Sequence, residues 1–155
     1  WGIERDPLSA QAARDNLARN GLTGEIWTGD WRECPFPPGS FDLVVSNPPY
    51  FAPGTGGDGG GARMERGADG LEALCGSAAR LLKNGGRFAL CARPERLPGL
   101  FAALGARGLE PKRLQLAAHS PAHRPSLALV EAVRQGRPGL EVLPLRFARK
   151  PSGVE

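Results

Sequence analysis

The chain is poor in histidine and methionine, and its three cysteines, Cys34, Cys75 and Cys91, form no Cys-x-x-Cys pair. An odd number of widely spaced thiols builds no disulfide framework, so three free, reduced cysteines are expected and a zinc site is not. His119 and His123 are four residues apart, but Pro121 lies between them and Pro125 follows. Proline there breaks the helical spacing that would bring both imidazoles to one metal. No Ser/His/Asp or Cys/His set suggests a hydrolytic nucleophile. No run of eighteen apolar residues occurs and no signal peptide opens the chain, which is read as that of a cytoplasmic protein. Lysine is sparse too. The net charge of +4 and pI near 9.4 come from arginine, a weak pointer to a polyanion that coding bias toward Arg, Gly, Ala and Pro would also produce.

What is present suits one globular domain: 155 residues, 41% hydrophobic and 23% charged, with no internal repeat, coiled coil or domain boundary. The chain opens on Trp1-Gly-Ile-Glu4 rather than Met, and is expected to be a fragment whose beginning is lost. Trp1 to Glu4 reads as a strand. Pro7 opens a helix with Asp6 as N-cap, Ala10, Ala13, Leu17 and Ala18 as its apolar stripe, and Asn20-Gly21 as its stop. A strand at about Glu25–Thr28 ends in Gly29-Asp30-Trp31. Leu71, Leu74, Cys75, Ala78, Leu81 and Leu82 mark another helix, closed by Lys83-Asn84-Gly85-Gly86. Arg87–Cys91 reads as a buried strand, and Pro94 opens a helix with Leu97, Leu100, Phe101 and Leu104 on one face. Leu109–Leu116 and Ser126–Val133 are predicted to be an antiparallel pair around a short turn, and Leu140–Phe147 a further short strand.

The stretch Phe41-Asp-Leu-Val-Val-Ser-Asn-Pro-Pro-Tyr50 organises the reading. Leu43, Val44 and Val45 predict a buried strand, which must stop at Asn47 because two prolines cannot donate ladder hydrogen bonds. Asn47 and Tyr50 then sit at a strand's carboxyl end, where open α/β sheets bind ligands. Glu4 and Asp30 are carboxylates at the ends of two earlier strands. Glu4 has two oxygens suited to a vicinal diol, and Asp30 suits an adenine amine with Trp31 near the ring. Taken singly, Asn-Pro-Pro is an ordinary turn and each carboxylate an ordinary surface group; three acceptors on successive strand ends favour a ligand. The glycine-rich Phe51–Arg66 stretch lacks the Lys-Ser/Thr ending of a phosphate loop, and reads as a mobile loop beside the site.

Ser46-Asn-Pro-Pro-Tyr-Phe51 resembles the catalytic motif of class I S-adenosylmethionine-dependent methyltransferases acting on planar nitrogens. With Ala62-Arg63-Met64-Glu65, Leu81-Leu-Lys-Asn-Gly-Gly-Arg-Phe88, Arg93-Pro-Glu-Arg-Leu97 and Leu109-Glu-Pro-Lys-Arg-Leu114, the chain resembles the bacterial tRNA(Val) adenine-N6 methyltransferases from Glu4 to about Leu145. The resemblance implies a Rossmann-like α/β sheet with helices on both faces and an antiparallel strand pair near the C-terminus. It implies S-adenosylmethionine as cofactor and tRNA as partner, with no metal, no membrane and a monomer. Asn47, Pro48 and Tyr50 would be catalytic, and Glu4, Asp30, Trp31 and Asn47 would hold the cofactor. Pro49, Tyr50, Phe51, Arg63 and Arg66 would meet the substrate. The Asn47 side-chain carbonyl and Pro48 backbone carbonyl would accept the two N–H groups of an adenine amine, and Tyr50 would stack on the flipped base.

One departure accompanies this. The family's first strand and glycine-rich loop would lie upstream of Trp1, with that strand between the strands ending at Glu4 and Ser46. The chain as it stands is therefore expected to bind cofactor poorly and to be inactive. A protein glutamine N5 methyltransferase, a guanine N2 RNA methyltransferase and an inactive RNA-binding remnant are the alternatives.

Overall fold

The structure is a computed structural model and describes residues 1–48 and 69–148. These residues fall into two compact units, one of Trp1–Pro37 and a second that begins at Pro38.

The first unit is a strand–helix–strand: β1 (Gly2–Glu4), α1 (Pro7–Arg19) and β2 (Ile26–Thr28). The strands pair in parallel with Glu4 opposite Thr28, and parallel pairing needs a crossover, which α1 supplies. α1 begins as predicted. Pro7 stands in its first turn and the Asp6 carboxylate accepts from the Ser9 N–H at 2.8 Å. It ends as predicted too, because Gly21 takes a left-handed φ of 61° while the Leu22 N–H reaches back to the Leu17 carbonyl. The face toward the strands comprises buried Ala10 with half-buried Ala13, Arg14 and Leu17. Ala18, expected on this stripe, is exposed; the 3.6-residue repeat from Ala10 gives its place to Arg14.

The second unit contains β3 (Phe41–Ser46), α2 (Asp69–Leu81), β4 (Leu82–Ala92), α3 (Leu97–Ala106), β5 (Leu109–Ala118), β6 (Leu127–Arg134) and β7 (Glu141–Phe147). Its sheet runs in the order β3-β4-β6-β5-β7. β3 with β4 and β5 with β7 are parallel, whereas β4 with β6 and β5 with β6 are antiparallel. The expected antiparallel pair is therefore β5–β6, and the expected tail strand is β7. Pro94–Arg96 forms a single 3-10 turn before α3 begins at Leu97.

Side chains alternate across a sheet, so one face gathers Phe88, Leu90 and Ala92 of β4, Val130 and Ala132 of β6, and Leu114 of β5. Cys75 and Ala78 of α2 and Leu100, Ala103 and Leu104 of α3 close over them as one buried cluster.

Two expectations change. Leu82 belongs to β4 rather than the helix, paired with Phe41. The partner of Leu43 is Arg87, so Lys83–Gly86 form a bulge, which Gly85 permits with φ of 79°. The Leu43–Val45 run is not buried. β3 is an edge strand in which Val44 packs on the core while Leu43 and Val45 are 55% and 70% exposed.

Phe88 is fully buried, so Phe88→Ala is expected to cost about 3–5 kcal/mol and Phe88→Leu under about 1.5 kcal/mol in denaturant unfolding. Burial pushes the Cys75 thiol up to about 11, with Glu72 adding to the shift and Arg107 opposing it. In the native protein Cys75 should stay unlabelled by a thiol reagent at about pH 8 while half-buried Cys91 reacts; unfolding should expose Cys75.

Candidate active site

Parallel pairing puts the carboxyl ends of β1 and β2 side by side. The Gly29 N–H donates to the Glu4 carbonyl at 2.9 Å, so Glu4 and Asp30 emerge from adjacent, tied strand ends. A Cβ at position 29 would come within 2.4 Å of the outer Trp27 ring, so any larger residue there needs that ring to move. Glu4 is half-buried, and its Oε1 accepts from the Asp6 N–H at 2.9 Å. That bond fixes the turn into α1. A carboxylate has about four acceptor positions, so Glu4 retains capacity for a diol.

Arg14 reinforces this end of the unit. Its Nη2 donates to the Ile26 carbonyl at 2.8 Å and to Thr28 Oγ1 at 2.6 Å, tying α1 to the last residues of β2. Sequence reasoning missed Arg14, although its place in the 10, 13, 14, 17 spacing was the available signal.

Asp30 caps the 3-10 turn Trp31–Glu33, its Oδ1 accepting from the Arg32 N–H at 3.0 Å. Asp30 was expected to accept from an adenine amine with Trp31 near the ring, and both groups are in contact with a neighbouring arginine rather than standing alone. Arg32 Nη1 lies 3.1 Å from Asp30 Oδ2 and 3.5 Å from Oδ1, with Cζ 4.6 Å from the Trp31 ring centroid. The two-residue separation and planar guanidinium allow both contacts together.

In the second unit β3 ends at Ser46, paired with Leu90, and Asn47 and Pro48 follow at its carboxyl end. Asn47 is exposed and Pro48 half-buried. The expected substrate residues Pro49, Tyr50, Phe51, Arg63 and Arg66, and the glycine-rich stretch, lie outside the described residues. Arg93 donates to the Ser126 carbonyl at 3.3 Å, linking the end of β4 to the approach to β6, and Arg124 is exposed in the β5–β6 turn. His119 and His123 stand edge to face in that turn, 5.5 Å between centroids, with His123 Nδ1 2.8 Å from Ser120 Oγ.

The donor set in the first unit fits the nucleoside part of S-adenosylmethionine: a carboxylate for two hydroxyls, and a second carboxylate with an indole beside it for an aminated ring. Asn47 and Pro48 offer carbonyl acceptors at a strand end.

Residues 1–95 match a family model described as UPF0020: RMKL-like, methyltransferase domain. Two curated proteins are each 40% identical over part of the chain. The type II methyltransferase M.CvrRI of Paramecium bursaria Chlorella virus XZ-6E aligns over 55 residues, 36% of this chain and 13% of that protein. Ribosomal RNA small subunit methyltransferase C of Pseudomonas entomophila (strain L48) aligns over 48 residues, 31% of this chain and 14% of that protein. The matched stretch therefore spans a small part of each relative.

Among solved structures, a predicted O-methyltransferase of Agrobacterium tumefaciens superposes with a TM-score of 0.69 at 23% identity, covering 98% of this chain and 69% of that one. The geranyl diphosphate C-methyltransferase of Streptomyces coelicolor A3(2), solved with Mg2+, geranyl diphosphate and S-adenosyl-L-homocysteine, gives 0.59 at 12% identity, covering 86% and 64%. These likenesses establish the fold, a Rossmann-like α/β sheet of the methyltransferase type.

Bonds from Ser9, its hydroxyl first and its backbone N–H second, hold the Asp6 carboxyl below its ordinary value of 3.8. A carboxyl lowered by folding adds stability above its unfolded value and loses it as pH falls through the folded one. Wild type should therefore lose stability relative to Asp6→Asn only below about pH 4. Thermal unfolding of both proteins across the acid range, followed by circular dichroism, measures the difference; a constant offset would contradict the cap's role.

Proposed function

The chain belongs to the UPF0020 family, the RMKL-like methyltransferase domain, and on that premise we propose that it methylates the exocyclic N6 of an adenine in tRNA, using S-adenosylmethionine. The observation that carries this reading is Asn47-Pro48 at the carboxyl end of β3, opening an Asn-Pro-Pro-Tyr sequence. The name of the Pseudomonas relative, a ribosomal RNA methyltransferase, favours a methyl acceptor in RNA over a protein glutamine. The sequence blocks after the motif favour tRNA. A ribosomal RNA acceptor is the second reading, supported by the Pseudomonas relative.

S-adenosylmethionine, when bound, supplies an electrophilic methyl group on a sulfonium. Glu4 is assigned to its ribose hydroxyls and Asp30 with Trp31 to its adenine. The nitrogen to be methylated is a poor nucleophile because its lone pair is delocalised into the ring. Asn47 Oδ1 and the Pro48 carbonyl oxygen accept its two N–H groups, which favours a pyramidal nitrogen with its lone pair directed outward. Pro48 and Pro49 restrict the backbone that carries these acceptors. Tyr50, with Phe51, is assigned to stacking on the base, and Arg63 and Arg66 to RNA phosphates. Displacement at carbon needs no protein nucleophile, so positioning is the main contribution of these residues.

The test gives full-length protein labelled S-adenosylmethionine with unmodified bulk tRNA and, separately, ribosomal RNA. Label in N6-methyladenosine from tRNA is expected; label confined to ribosomal RNA would promote the second reading, and label in protein glutamine would contradict both. Asn47→Ala should lower turnover about 10²–10³-fold with cofactor affinity nearly unchanged. Glu4→Ala should instead weaken cofactor binding roughly ten- to hundredfold, read by calorimetry.

A further inference from the structure

Arg32 occupies both groups assigned to the cofactor's adenine. Nη1 straddles the Asp30 carboxylate at 3.1 and 3.5 Å, and the guanidinium lies over the Trp31 ring at 4.6 Å. A guanidinium and an aminopurine share the relevant chemistry: each is planar, each donates N–H to a carboxylate, and each stacks on an indole. Asp30 Oδ1 is already used by the Arg32 backbone N–H at 3.0 Å. The side-chain contact of Arg32 therefore falls most closely on Oδ2, the oxygen left for a ligand.

We propose that Arg32 is an internal competitor for the adenine subsite, a residue that sets cofactor affinity by holding Asp30 and Trp31 until the purine displaces it. This rests on the assignment of Asp30 and Trp31 to the adenine. Displacement is feasible because the Arg32 side chain is 40% exposed and its charge returns to water as it leaves. An exposed ion pair and an exposed cation–π contact are both weak, so the competition amounts to about three- to tenfold in affinity. Arg14 is not a second competitor: its guanidinium is directed to Ile26 and Thr28 on β2.

The test measures binding of neutral adenosine to the full-length protein by calorimetry. Arg32→Ala should tighten adenosine about three- to tenfold, and Arg32→Lys, which keeps the charge but not the planar stack, should fall between it and wild type. Raising ionic strength should strengthen adenosine binding in wild type, because salt screens the Arg32–Asp30 pair, and should leave Arg32→Ala unaffected. Adenosine that binds through Asp30, as shown by its loss in Asp30→Ala, yet binds Arg32→Ala no more tightly than wild type, would overturn the competitor while sparing the adenine subsite. Adenosine binding unaffected by Asp30→Ala would overturn the subsite assignment and the competitor with it.

Discussion

The hydrogen bond from the Gly29 N–H to the Glu4 carbonyl is the constraint on which the first unit's candidate site depends. It extends the parallel β1–β2 ladder by one step, so the two carboxylate residues leave the sheet from the same end. Glycine allows the chain to turn there beneath Trp27, and the Glu4 carboxylate then shapes the turn into α1 through the Asp6 N–H. Backbone pairing and the two candidate side chains are thus coupled. Only proline at position 29 would remove that bond outright, because it has no N–H to donate to Glu4.

The other candidate group has a different origin. Asn47 and Pro48 are where they are because a proline ends the β3–β4 ladder after Ser46. β3 in turn is held by the packing of Val44 against the cluster formed by α2, α3, β4, β5 and β6. Mutations in that cluster act on Asn47 through the stability of the strand, whereas mutations around Arg14 act on the end of β2. On the proposed assignment of Glu4 and Asp30 to the cofactor and Asn47 to the methyl acceptor, turnover and cofactor affinity should separate along that division.

Much of this was legible in the sequence because short-range signals were strong. Asp6-Pro7 and Asn20-Gly21 set both ends of α1, and two apolar runs around a proline-containing turn gave β5 and β6. The exposure of Leu43 and Val45 was not legible, since a three-residue apolar run does not say whether its strand is central or at an edge. Leu82 was misplaced because Leu-Leu before Gly-Gly fits a helix stop as well as a bulged strand. The helical spacing put Arg14 on the strand-facing side of α1 without naming its partners, and Arg32 carried no such signal, because an arginine's partner is set by what folding brings within reach. The substrate-facing side of the reading, Pro49 to Arg66, rests on sequence alone.

The most direct measurement of the central claim, that the strand ends of β1 and β2 hold the nucleoside of S-adenosylmethionine, is a crystal structure of the full-length protein with S-adenosyl-L-homocysteine. The account predicts the Glu4 carboxylate within hydrogen-bond distance of both ribose hydroxyls and the adenine amine on Asp30. A ribose bound elsewhere, with Glu4 still holding only the Asp6 amide, would contradict it.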